Sequence, residues 1–148
     1  MATKDGKAND EAQISKLIDR WLTALRAEDL DRIMSCYVPD VLLFDILPPL
    51  QYVGADAYRK KWAEWFATFQ GSIGYETRNL SVTSGDDVAF SHSLNRISGK
   101  RTDGEETDVW MRATVCYRKI DGRWRIAHEH ASVPSYMDSG KASVDLQP

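Results

Sequence analysis

Residues 107–134 read TDVWMRATVCYRKIDGRWRIAHEHASVP, and the period of this stretch decides the fold. Side chains change character every second residue on both sides of Asp121-Gly122, a pair suited to a tight turn, which predicts strands over Thr107 to Ile120 and Trp124 to Val133 joined as a hairpin. Toward the N-terminus, Val88 to Ser98 and Ile73 to Thr83 carry the same period, separated by the turn residues Thr102-Asp103-Gly104 and Gly85-Asp86-Asp87. Before Gly71 the period becomes helical. Ile14, Leu17, Ile18, Trp21, Leu22 and Leu25 share one face of a helix over Glu11 to Ala27. Asp29 is placed to cap a second, short helix that buries Leu30, Ile33, Met34 and Tyr37 and ends at Pro39-Asp40. Val41 to Ile46 is β-prone and runs into Pro48-Pro49, which belongs in a loop or at an edge. A third helix opens at Gly54 or Asp56, buries Tyr58, Trp62, Trp65, Phe66 and Phe69, and closes at Gly71. Helices first and a strand meander after them predict an α+β fold, three N-terminal helices packed on a strongly curved antiparallel sheet.

The chain has 148 residues, 43% hydrophobic and 28% charged, enough for one core. We expect a disordered tail over residues 1–10, a domain over 11–134 and a mobile C-terminal tail over 135–148. Nineteen Lys+Arg against 22 Asp+Glu leave a net charge of −3 with no basic stripe, so nucleic acid is not an expected partner. No apolar run approaches the roughly 20 residues of a membrane helix, and the polar start lacks the apolar segment of a secretion signal. The expected location is the cytoplasm, where Cys36 and Cys116 stay reduced in the core. Neither a phosphate-cradling glycine loop nor a nucleophile elbow accompanies the glycines and serines, so no cofactor is expected.

Trp21 on helix one, the turn Ala27-Glu28-Asp29, Phe44-Asp45 after helix two, Gly54 before an aromatic helix, and the ending from Asp121 to Pro134 together resemble the nuclear transport factor 2-like superfamily. Within it the chain is most similar to SnoaL-like and ketosteroid isomerase-related small proteins. Its ending also resembles the association domain of calcium/calmodulin-dependent protein kinase II. The resemblance implies a cone enclosing a pocket, on a fold that carries isomerases, dehydratases, cyclases, epoxide hydrolases and non-catalytic oligomerisation modules. It also implies that Asp45 falls near the catalytic aspartate of ketosteroid isomerases. The helix-one tyrosine of those enzymes falls at Trp21, which has no hydroxyl, and their second acid falls near Met111 or Ala113, so steroid isomerisation itself is not expected.

Asp45, in the apolar run Phe44-Asp45-Ile46, is the expected catalytic base, because desolvation favours a carboxylate that takes up protons. The strand parities leave the pocket face open. Trp124 and Ile126 place His128 and His130 on a buried face, and Val88, Phe90 and Leu94 do the same for His92. The resemblance instead turns Ser91, Ser93, Asn95, Val109, Met111, Ala113, Val115, Ala127, Glu129 and Ala131 inward, which a β-bulge would permit. On that parity Trp21, Tyr52, Trp62, Asn95, Met111 and Glu129 are the expected ligand-binding residues. The ligand expected is a small apolar or carbonyl-containing molecule. Trp110, Arg112, His128 and His130 then suit the interface of a homodimer. His128 and His130 have a spacing that metal sites use, but Glu129 points to the opposite face and His92 is the one other histidine, so no metal is expected.

Overall fold

The computed structural model describes residues 3–148. Two helices open the chain, α1 (Lys4–Arg26) and α2 (Leu30–Ser35). Strand β1 (Tyr37–Phe44), the two-residue β2 (Tyr52–Val53) and helix α3 (Ala55–Phe66) follow. The long strands β3 (Phe69–Ser84), β4 (Val88–Arg101), β5 (Glu106–Ile120) and β6 (Arg123–Ser132) complete one sheet in the order β2-β1-β6-β5-β4-β3. The expected α+β class holds, with one difference in the sheet. Strand β1 pairs with β6 in parallel, so the sheet is mixed rather than wholly antiparallel.

Several boundaries differ from the expectation. Helix α1 begins at Lys4, inside the segment read as a tail, because the Thr3 side chain caps Gly6 N–H and Asp10 is buried against the sheet. Asp29 caps α2 through Arg32 N–H at 3.1 Å, as its position suggests. Tyr37 opens β1 rather than closing α2, and Pro39 is tolerated there because it lies in the stretch between Tyr37 and Leu42 where the pairing with β6 shifts. Phe69 opens β3, since α3 stops at Phe66 and Gly71 lies inside the strand at φ 74°. Residues 135–148 fold back as well: Ser135 bridges Ala142, Ser143 is buried, and its N–H reaches Pro134 O at 2.7 Å.

Two bulges determine which side chains face the helices. In β6, Cys116 pairs with His128 and Tyr117 with Ile126, which leaves Ala127 as an extra residue. Trp124 and Ile126 therefore share the inner face with Glu129 and Ala131, and both parities read from the sequence are correct on their own side of the bulge. In β3, the step from Arg78–Leu94 to Ser81–His92 skips one residue at Asn79, held at φ 55°, so the inner face passes from Tyr75 and Thr77 to Leu80 and Val82. On β4 and β5 the odd positions face inward without interruption, ending in Ala89 and Tyr117, while Val88 and Phe90 are exposed. Extra residues on one strand of a pair bend it. The core lies between this inner face and the helices, around Ile14, Leu17, Leu25, Ile33, Leu43, Trp62 and Tyr117.

Candidate active site

Between the helices and the inner face of the sheet lies a cavity of about 110 Å³, with room for more than a single water, which needs about 10–15 Å³. Helix α3 contributes Tyr58, Lys61, Trp62 and Trp65, which fall at i, i+3, i+4 and i+7 and so share one face. Trp21 comes from α1, Tyr75 from β3, Asn95 from β4, Met111 from β5 and Glu129 from β6. Asp45 follows the last residue of β1.

Glu129 faces the cavity from β6. Its neighbours across the sheet are Val115 on β5 and Leu43 on β1, which supply no polar atom from their side chains. Burial therefore pushes its carboxyl up to about 7. Tyr37 and Lys61 hold it down in part, Asp45 pushes it further up, and Tyr58 opposes the rise. The Tyr37 hydroxyl donates to Glu129 Oε1 at 2.8 Å, and the Tyr58 hydroxyl lies at 3.4 Å from Oε2. Burial first, and then the charge of Glu129, push both tyrosines well above their ordinary value, so they remain donors. Behind Tyr37, the Trp21 indole N–H donates to its oxygen at 2.9 Å. An indole nitrogen can only donate, which commits the Tyr37 proton to Glu129.

Asp45 borders the same cavity under different conditions. Its Oδ2 is 2.6 Å from Lys61 Nζ, with both side chains 11% exposed, and its Oδ1 accepts from Ile46 N–H at 2.7 Å. The ammonium of Lys61 also lies 4.2 Å from the ring centre of Trp62 and 5.1 Å from that of Tyr58. The carboxylate expected to act as a base is thus occupied by a cation and a backbone donor. The acid with a mid-range proton affinity is Glu129.

Of the other expected binding residues, Trp21, Trp62, Asn95 and Met111 do border the cavity. Tyr52 does not: on the edge strand β2 its ring packs behind Tyr58 and its hydroxyl donates to Pro48 O at 3.0 Å. Asn95 is buried and accepts from Ser93 Oγ at 3.2 Å. On the outer face, the Arg78 guanidinium stacks over Trp110 at 4.8 Å and Arg112 donates to Ser132. His128 Nδ1 is 2.6 Å from Leu42 O, and His130 packs on Phe44 beside the cavity. Among the described residues no three His, Cys, Asp or Glu side chains gather as a metal site. Cys36 is buried and Cys116 half-buried, both as free thiols.

A family model described as a SnoaL-like domain matches residues 14–136. The chain belongs to the SnoaL-like family. An NTF2-like protein of unknown function from Pseudomonas putida KT2440 shares 37% identity with this SnoaL-like chain, over 95% of it and 98% of that protein, with a TM-score of 0.88. A Xanthomonas campestris protein named for a calcium/calmodulin dependent protein kinase II association domain is 22% identical, over 90% and 87% of the two chains, at a TM-score of 0.70. A ketosteroid isomerase-like protein from Erwinia carotovora atroseptica is 24% identical over 82% and 93%, also at 0.70. The last two likenesses are of fold. A comparison with curated proteins returns no match.

Three site residues escape the sequence reading. Tyr37 is hidden because it reads as the last apolar residue of a helix. Tyr58 reads as core. Lys61 leaves a usable sign: a lysine between Tyr58, Trp62 and Trp65 on the apolar stripe of α3 is a cation where the helix should bury carbon.

Proposed function

We propose that this SnoaL-like protein binds a small, mostly apolar organic molecule in the cavity and moves a proton on it without a cofactor, as an isomerase, dehydratase or cyclase would. One observation carries this reading: the Glu129 carboxyl, which burial raises to about 7 and to which the Tyr37 hydroxyl donates at 2.8 Å, in a cavity walled mainly by aromatic and aliphatic side chains such as Trp21, Trp62, Met111 and Val115. A group with that proton affinity is populated in both forms near neutrality, so it can take a proton from carbon and return it. In this assignment Asp45 holds Lys61 in place, and the Lys61 charge limits how far Glu129 rises.

Acetophenone, a small ketone with exchangeable protons beside its carbonyl, tests the reading. In D2O the protein should accelerate deuterium uptake into the methyl group, seen by NMR, with a rate that rises with pH through about 7 as Glu129 ionises. Binding without any acceleration, across a panel of such ketones, would leave a ligand-binding module in place of an enzyme.

The expected partner copy belongs to the same proposal. Val88 and Phe90 are exposed on the outer face, and Trp110 shares that face, so a second copy of the chain is the partner that fits. A Trp110→Glu variant should shift the mass measured by light scattering from dimer to monomer, and an unchanged mass would refute the assignment.

A further inference from the structure

We propose that Leu47 and Leu80 form an apolar lip along which an aliphatic chain of the ligand lies, so that the molecule taken up is a neutral, alkyl-substituted ring longer than the cavity itself. The inference rests on the reading that the cavity binds an apolar molecule and adds the ligand class to it. It does not depend on the chemistry assigned to Glu129.

The enclosed space is the first constraint. At about 110 Å³ it is of the same order as the roughly 150 Å³ of an apolar cavity that takes up one benzene, and well short of the roughly 300–1,000 Å³ of most ligand sites. One ring among Trp21, Tyr58, Trp62 and Trp65 fills it, and the further atoms of a larger ligand must lie across its opening. Three of the residues that border the cavity are exposed, namely Leu47, Leu80 and His130, and they mark where it meets solvent. Leu47 is 44% exposed and Leu80 42%. Of the large hydrophobic side chains exposed among the described residues, these two alone also border the cavity. A single leucine in water is ordinary. Here two, from separate elements, continue an apolar wall outward: Leu47 follows Ile46 in the loop between β1 and β2, and Leu80 stands on β3.

Leu80 owes its place to the bulge in β3. With unbroken alternation the inner positions after Tyr75 and Thr77 would be Asn79 and Ser81, and Leu80 would face outward. The extra residue at Asn79, with φ 55°, hands the inner position to Leu80 instead. Asparagine is among the few residues that accept such a φ readily, and bulges beside binding sites commonly re-aim a side chain. The backbone thus replaces a polar side chain by an apolar one at the edge of the cavity. Charges close in sequence are engaged elsewhere: Asp45 is bonded to Lys61, and Arg78 stacks over Trp110 on the outer face. A charged chain would give up its hydration for two leucines, whereas an aliphatic chain removes its own apolar surface and theirs from water together.

The test uses benzyl alcohols that carry a 4-methyl, 4-propyl, 4-pentyl or 4-heptyl group. Each is titrated into the full chain while the tryptophan indole N–H resonances are followed by NMR. In the natural protein the affinity should rise about twofold per added methylene, because a chain on a surface buries about half of each one and full burial is worth about fourfold. In a variant carrying both Leu47→Ser and Leu80→Ser, the 4-methyl compound should bind within about twofold of its natural affinity. The gain from methyl to heptyl should fall from about sixtyfold to under about tenfold. Both side chains are exposed, so the variant keeps the core intact. Nuclear Overhauser contacts from the end of the heptyl chain should reach the methyl groups of Leu47 and Leu80 in the natural protein. A flat series in the natural protein, an equally steep one in the variant, or chain-end contacts only to other residues would overturn the proposal. The two readings fail differently: a 4-methyl compound that binds without any chain-length gain removes the lip alone, and a series in which no member binds removes the cavity reading and the lip with it.

Discussion

Asp10, buried, and Glu129, half-buried beside the cavity, are carboxyls at different places in the same fold, and their surroundings drive them in opposite directions. Asp10, on α1, accepts from Lys119 Nζ at 2.9 Å and from the Trp124 indole N–H at 3.0 Å. The Lys119 hydrogen bond outweighs burial there and holds the carboxyl below its ordinary value. Among the described residues Glu129 receives hydrogen bonds only from the neutral hydroxyls of Tyr37 and Tyr58, and burial wins, to about 7. The difference is one cation within hydrogen-bond distance. With it, a buried carboxylate is a permanent charge that fastens a helix to a sheet; without it, the same group is left half-way between its two protonation states.

The sharpest way to break this contrast is to neutralise each acid in turn. Glu129→Gln should reduce deuterium exchange into acetophenone by about 10²–10⁴-fold, the usual share of a general base, whereas Asp10→Asn should leave that rate unchanged. Equal losses in both variants would erase the distinction. Next in size is the pH dependence of stability. Glu129 has a folded value of about 7 against 4.5 for the free group, so the folded state keeps its proton where the unfolded chain has lost it. The contribution of Glu129 to stability should therefore be complete below 4.5 and be lost, by about 3 kcal/mol, as pH rises through 7, and Glu129→Gln should remove this slope in urea titrations at pH 5 and pH 8.

Asp10→Asn should cost about 1–3 kcal/mol of stability near neutrality, since Lys119 loses its charged partner. The sign with pH is the reverse of that for Glu129. The contribution of Asp10 is complete above 3.8 and disappears as pH falls through its lower folded value, so the variant and the natural protein should converge in strong acid. The smallest effect belongs to Tyr37→Phe. Tyr37 lowers the proton affinity of Glu129, so its removal should move the midpoint of the exchange profile above 7, and an unmoved midpoint would show that Tyr37 does not orient the acid.

The fold was legible because period survives in long elements: α1, α3 and the four strands from β3 to β6 all show it, and the Asp29 cap can be read directly. Short elements were harder. Tyr37 continues the apolar spacing of a six-residue helix, and nothing local shows that its backbone has become β1 or that its hydroxyl meets Glu129, 92 positions away. The site was legible in part. Glu129, Asn95, Met111, Trp21 and Trp62 follow once the inner face is known, yet their roles depend on distances. In sequence Asp45, between Phe44 and Ile46, looks more like a desolvated base than Glu129, between His128 and His130, and the Lys61 ammonium that occupies Asp45 is brought there by the packing of α3 on β1.

The extra residue at Ala127 makes β6 sensitive to length in a way that it is not to composition. A strand has a frame of two, and Ala127 shifts it between Ile126 and Glu129. Substitutions along β6 alter one side chain each, but deletion of Ala127 would change the phase of everything on one side of it, turning either Trp124 and Ile126 or Glu129 and Ala131 to the outer surface. Related chains that keep this cavity should therefore vary freely in the identity of the residue at this point and scarcely at all in the count of residues between the tryptophan and the glutamate.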